Sequence, residues 1–262
     1  MFECIGGTSI ALHEYLCTQF NRYMKHIFLA GALCVTMFSG CETTQQILST
    51  LPASTGQPNS FQIASGLKEA LTIGAQNSAS RLSSPNGFFA NAMLKILMPP
   101  EAQKVESTLR SLGMGSVVDK AILAMNRGAE EAAKSAAPIF VNAIRQMTIT
   151  DAIGILRGGD FAATDYFKQR TTAALTTAFS PVINNALKKV DATKYWADVF
   201  TVYNRFSKTP VNTDLTAYVT ERAINGIFHE VGVEEQKIRK DPAARVTELL
   251  KTVFGSQLAQ NR

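Results

Sequence analysis

Beyond Cys41 the sequence has no cysteine, and His229 and Trp196 are its sole histidine and tryptophan there. Cys4, Cys17, Cys34 and Cys41 all lie at or before the expected start of a mature chain, so that mature chain can form no internal disulfide, although an exported protein could carry one. A structural zinc site takes three or four His, Cys or carboxylate ligands, which one histidine without a thiol does not supply. A His-based triad would need a positioned serine and a third orienting group, and no spacing here indicates them. His229 therefore reads as a partly exposed helix residue, and neither a metal nor a cofactor is expected. The net charge of +5 is dispersed, with no run of four basic residues. Nucleic-acid binding is thereby set aside. No segment alternates polar and apolar residues between turns, and no repeat of fixed period occurs, so strands and solenoids are not expected.

One apolar run is present near the beginning. Ile27 to Phe38 are uncharged and follow the polar pair Lys25 and His26. A membrane span needs about 20 apolar residues, so this run fits a cleaved export signal better than a permanent helix. It ends in Phe38-Ser39-Gly40-Cys41, which resembles the lipobox of bacterial lipoproteins, with Phe38 where Leu is usual. An ordinary signal with an incidental cysteine, or a buried apolar helix, are the plainer alternatives. The resemblance implies that Cys41 is lipidated and anchors the chain to a membrane, the several acyl chains of such a cysteine being enough for stable attachment. Glu42 comes next, where Asp would mark inner-membrane retention, and this implies the outer membrane, facing the periplasm.

These features divide the chain. Residues 1–23 lack the logic of a signal, and Met24 is the expected start, followed by a signal peptide over 24–40. The lipidated cysteine and a Thr, Gln, Ser and Pro-rich tether occupy 41–60. A helical domain covers 61–256 and a tail 257–262. After Cys41, 24 Lys and Arg face 19 Asp and Glu, which reads as an ordinary solvated surface.

From Phe61 apolar residues recur at three- and four-residue steps. Ile63, Leu67, Ala70, Leu71 and Leu82 predict one helix, ended by Ser83-Ser84-Pro85-Asn86-Gly87. Phe88 to Leu97 predicts a short second helix closed by Pro99-Pro100, and Pro100 opens a third carrying Val105, Leu109 and Leu112. Further helices are expected over Val117 to Ser135, then one that Pro138 starts or kinks, one from a Thr148/Asp151 capping box to Gly158-Gly159, and one over Ala162 to Val190 with a kink at Pro181. The rest comprises an aromatic helix from Tyr195, one from Leu215 to Lys240, and a last one opened by Pro242. The fold class is all-α, a single bundle-like domain with short loops.

Several separated motifs resemble one family. Gly66-Leu67-Lys68-Glu69-Ala70-Leu71, then Met147-Thr148 with Asp151-Ala152, Ala162-Ala163-Thr164 with Tyr166-Phe167, and finally Glu234-Glu235, Ile238-Arg239 and Asp241-Pro242 are similar to a bacterial family catalogued as domain of unknown function 4197. The resemblance implies an exported helical domain and brings no catalytic or binding residues with it.

The chemistry-bearing residues are few. Tyr195, Trp196, Phe200, Tyr203 and Phe206 occupy more than one face of their helix, so some are candidates to line a groove for an apolar ligand, while the simpler reading places them in the core. Glu230, Glu234 and Glu235 form a carboxylate cluster that could act as acid and base or hold a cation. Against this, Glu235/Arg239 has the spacing of a helix ion pair, as has Arg127/Glu131. Gly158-Gly159-Asp160 lacks the Lys-Ser/Thr of a phosphate loop. The leading expectation is a non-enzymatic lipoprotein that binds an envelope protein or an apolar small molecule. An enzyme using the Glu230 to Glu235 carboxylates is the alternative, and a purely structural envelope scaffold the third.

Overall fold

The computed structural model describes residues 58–205, 210, 212–256 and 259. The signal run, Cys41 and most of the tether lie outside the described residues, as do Phe206 and the Tyr203 side chain. The described elements are α1 (Ser60–Ser83), α2 (Gln103–Ser111), α3 (Gly115–Ala133), α4 (Ala136–Gln146), α5 (Ile149–Arg157), α6 (Ala162–Lys188), α7 (Ala192–Asn204), α8 (Leu215–Lys240) and α9 (Glu248–Phe254). No strand occurs among the described residues, so the all-α expectation holds. No single described helix is long and apolar enough to cross a membrane.

Helix α1 begins one residue before the expected domain boundary because Asn59 caps it. The Asn59 side chain accepts from the Gln62 backbone N–H at 2.8 Å, and the Gln62 side chain accepts from the Asn59 N–H at 2.9 Å. This reciprocal pair satisfies two N–H groups that the first turn leaves free. The Thr148/Asp151 box forms in the same way at the start of α5. Its Thr148 N–H, and then its hydroxyl, hold the Asp151 carboxyl below the usual range.

The core lies where α6 and α8 pack on each other, with α3 against α6 and α1 against α8. Leu175, Phe179, Ile183 and Leu187 of α6 are fully buried at four-residue steps, as the apolar stripe predicted. Phe140 of α4 meets Phe167 of α6 at 5.0 Å and Phe228 of α8 at 6.1 Å between ring centroids. Helix α6 is continuous through Pro181, which sits on its exposed side. Helix α9 returns to the start of the domain, where Val253 lies against Gly66 of α1.

Several expectations fail for identifiable reasons. Phe88 to Leu97 is a chain of turns, not a second helix, and the connection from α1 to α2 is correspondingly long. Turns within the segment pair some of its backbone polar groups, and side chains of α3 satisfy others. Glu130 accepts from the N–H groups of Phe88 and Phe89 at 3.2 and 3.1 Å, while Asn126 bonds both the N–H and the carbonyl of Ile96 at 2.8 Å. Those partners lie 30 to 42 residues away in sequence, so local periodicity could not reveal them. Arg127 accordingly pairs with Glu130 at 2.5 Å and not with Glu131, which takes Lys134. Leu112 is exposed, and Pro242 starts a 3₁₀ turn (Pro242–Ala244), the last helix beginning at Glu248 under a Thr247 cap.

Candidate functional site

Helix α7 carries two apolar faces. Ala192, Trp196 and Phe200, at four-residue steps, are buried, and the Trp196 and Phe200 rings lie 4.3 Å apart. The Trp196 indole N–H donates to the Asn212 carbonyl at 3.0 Å, which fixes the ring. Tyr195, Val199 and Val202 point outward and are 42 to 56 % exposed. The first face is ordinary core burial. The second stays about half open to solvent.

Between these faces lies an apolar groove. Val105 and Leu109 of α2, Val117 and Ala121 of α3, and Trp196 and Phe200 of α7 line it, with Tyr195 and Val199 at its edge. Its free volume is about 100 Å³. That is smaller than the cavity of about 150 Å³ that holds a benzene molecule, so it suits a branched alkyl end, or a ring that stands partly outside it on the open side. Among the expected lining residues the structure brings Tyr195, Trp196 and Phe200 together here. Sequence reasoning missed the contribution of α2 and α3. A signal existed in Val105 and Leu109, four residues apart on an otherwise polar helix, and α2 indeed buries none of its residues fully.

The carboxylates fall into two separate groups. Glu230 and Glu234 of α8 both meet Arg81 of α1 at 2.5 Å, and Glu234 also accepts from Lys237 at 2.7 Å and Asn77 at 3.2 Å. Burial alone would raise the Glu234 carboxyl, but the hydrogen bonds from Lys237, Arg81 and Asn77 outweigh it and hold the group below its ordinary value. Glu234, followed by Glu230, in turn raises Arg81.

Glu235 belongs to a different structure. It pairs with Arg239 at 2.8 Å, both side chains almost wholly buried, as their spacing predicted. Its oxygens accept from the N–H groups of Ala163 and Thr164 and from the Thr164 hydroxyl, at 2.8 to 3.0 Å. These are first-turn donors of α6, whose own N-cap, Phe161, offers no side-chain oxygen. Arg239 meanwhile donates to the Ile155 carbonyl at 2.8 Å, at the end of α5. One ion pair thus places an acid at a helix N-terminus and a base at a helix C-terminus, clamping the Gly158-Gly159 turn from both sides.

His229 is exposed on α8, in a wide groove that also holds Phe161, Lys168, Asn225 and Lys237. Lys237 is engaged by Glu234. Among the described residues no group of three His, Cys, Asp or Glu side chains is placed to hold a metal ion.

A family model described as "Protein of unknown function (DUF4197)" matches residues 57–255. The chain belongs to this family. No curated protein and no solved structure matches the chain at a significant level. The family motifs map onto the helix packing. Gly66 admits α9, since a Cβ there would stand 2.7 Å from the Val253 side chain, while Glu235, Arg239, Ala163 and Thr164 form the clamp. At these five positions the residues hold helices together.

Proposed function

We propose that this protein is a membrane-anchored, periplasm-facing lipoprotein, acylated at Cys41, whose helical domain binds an apolar group without carrying out chemistry. The observation that carries the binding reading is the groove between α2, α3 and α7, a small apolar recess beside an exposed apolar helix face. The ligand is an envelope protein offering an apolar side chain, or a small molecule with an aromatic or branched alkyl end. The engagement of Glu230, Glu234 and Glu235 in interhelical bonds supports binding over acid–base catalysis, because each carboxylate already has structural partners.

The test is native mass spectrometry, with lipid extraction, of the full-length protein purified from membranes. A stoichiometric apolar molecule or co-purifying protein is expected, and its loss in Val105→Asp, a half-buried groove position, would locate it. A protein free of any companion, with the variant indistinguishable, would overturn the reading. Metabolic labelling with palmitate addresses the anchor. Label present in the wild type and absent from Cys41→Ser is expected, and label in neither would remove the lipoprotein assignment.

A further inference from the structure

The groove opens onto a larger surface of mixed character. Exposed apolar residues Val117, Leu123, Val190, Tyr195, Val199 and Val202 lie on α3, just past the end of α6, and on α7. Val190 lines both the apolar groove and a second, shallow groove between α3 and α6, so the two recesses adjoin. The second groove is bordered by Lys120 and Lys189. Lys188 and Lys194 are exposed beside Val190 and Tyr195 in sequence, and none of the four lysines makes an ion pair among the described residues. The neighbouring charges are already balanced. Arg127 is met by Glu130, Glu131 by Lys134, and both Glu106 and Asp119 by Arg110. Against the four lysines stand Asp191 and Asp198.

We infer that this surface docks on an anionic phospholipid membrane, with the lysines at the headgroups and the α7 valines and Tyr195 at the acyl boundary. Apolar side chains interleaved with unpaired lysines suit such an interface, because the apolar part gains by leaving water and the cations gain from anionic lipid. A second copy of the chain fits poorly, since an isologous contact would set the same lysines against one another. The inference goes beyond the groove reading and does not need a ligand in the groove.

The experiment uses the sole tryptophan, Trp196, which lies on the groove floor within this surface. The full-length chain is held on vesicles of brominated phosphatidylcholine, alone or mixed with brominated phosphatidylglycerol, and quenching of Trp196 is recorded. Docking predicts strong quenching on the mixed vesicles, weak quenching on the neutral ones, and relief by salt. Changing Lys120, Lys189 and Lys194 together to Gln should weaken the anionic preference, by about fivefold for each lysine. Val199→Asp with Val202→Asp should abolish quenching, and both valines are exposed enough for the helix to persist, which circular dichroism checks. Absence of quenching on either vesicle would overturn the inference. So would equal quenching on both that ignores the lysines, which would mean lipid drawn into the groove and would favour the ligand reading instead. A patch that binds an acidic protein and no vesicle would also overturn it.

Discussion

Glu235 and Arg239 show how one residue pair can hold three helices. The side chains are 4 % and 2 % exposed, and removing one partner of a buried pair leaves the other charge uncompensated, at a cost of about 3–5 kcal/mol. Glu235→Gln should therefore lower unfolding free energy in urea by about 3 kcal/mol, because an amide group would also face the Thr164 donors. Glu234 gives a different signature. Its carboxyl titrates lower in the folded state than the ordinary 4.5, so the unfolded chain takes up the proton first as pH falls. Its contribution is complete above about pH 4.5 and disappears as the pH drops through the depressed folded value. Melting temperature recorded from neutral pH downward should fall less steeply for Glu234→Gln than for the wild type.

At the scale of elements, the irregular chain between α1 and α2 depends on side chains supplied by α3. Asn126 is fully buried and serves both polar groups of Ile96. Asn126→Ala would leave two buried backbone groups without partners, costing about 1–3 kcal/mol each, and amide exchange at Ile96 should accelerate while that of the α6 core does not. The same segment places Phe88 against α8. A Cβ on Gly226 would stand 2.6 Å from the Phe88 ring, which is itself fully buried. Gly226→Ala should consequently destabilise by about 1–3 kcal/mol through overpacking, although alanine is the better helix former by about 1 kcal/mol. A raised melting temperature would contradict this close approach.

Across the whole molecule, the last helix closes on the first. Leu250, Val253 and Phe254 of α9 are buried, and Val253 occupies the space that Gly66 leaves on α1. Ending the chain at Lys240 should reduce stability by about 5 kcal/mol, from roughly 1.5–3 kcal/mol for each of three buried side chains, and increase dye binding to the uncovered α1 face. A chain melting like the wild type would show that α9 is dispensable. The uncovered face of α7 belongs to this scale too, because its exposure is set by what the remaining helices leave unoccupied. Large contiguous apolar patches are uncommon on the surfaces of monomers, which is why the proposed docking is tested at this face.

The sequence by itself determined the all-α class, the Thr148 capping box, the Glu235/Arg239 pair, the extent of α8 and the buried stripe of α6. Each rests on residues within a turn or two of one another, where helical geometry alone decides who meets whom. It also showed that the aromatics of α7 span more than one face, without showing which would be covered. Tertiary structure alone decided that Phe88 to Leu97 abandons its helical periodicity, because Glu130 and Asn126 reach its backbone from across the fold. It alone separated the carboxylates, turning Glu230 and Glu234 toward Arg81 and Glu235 toward the start of α6. And it alone joined α2 and α3 to Trp196 in one groove. Spacing along a chain cannot say which distant helix arrives beside a side chain, and at these positions that neighbour sets the role.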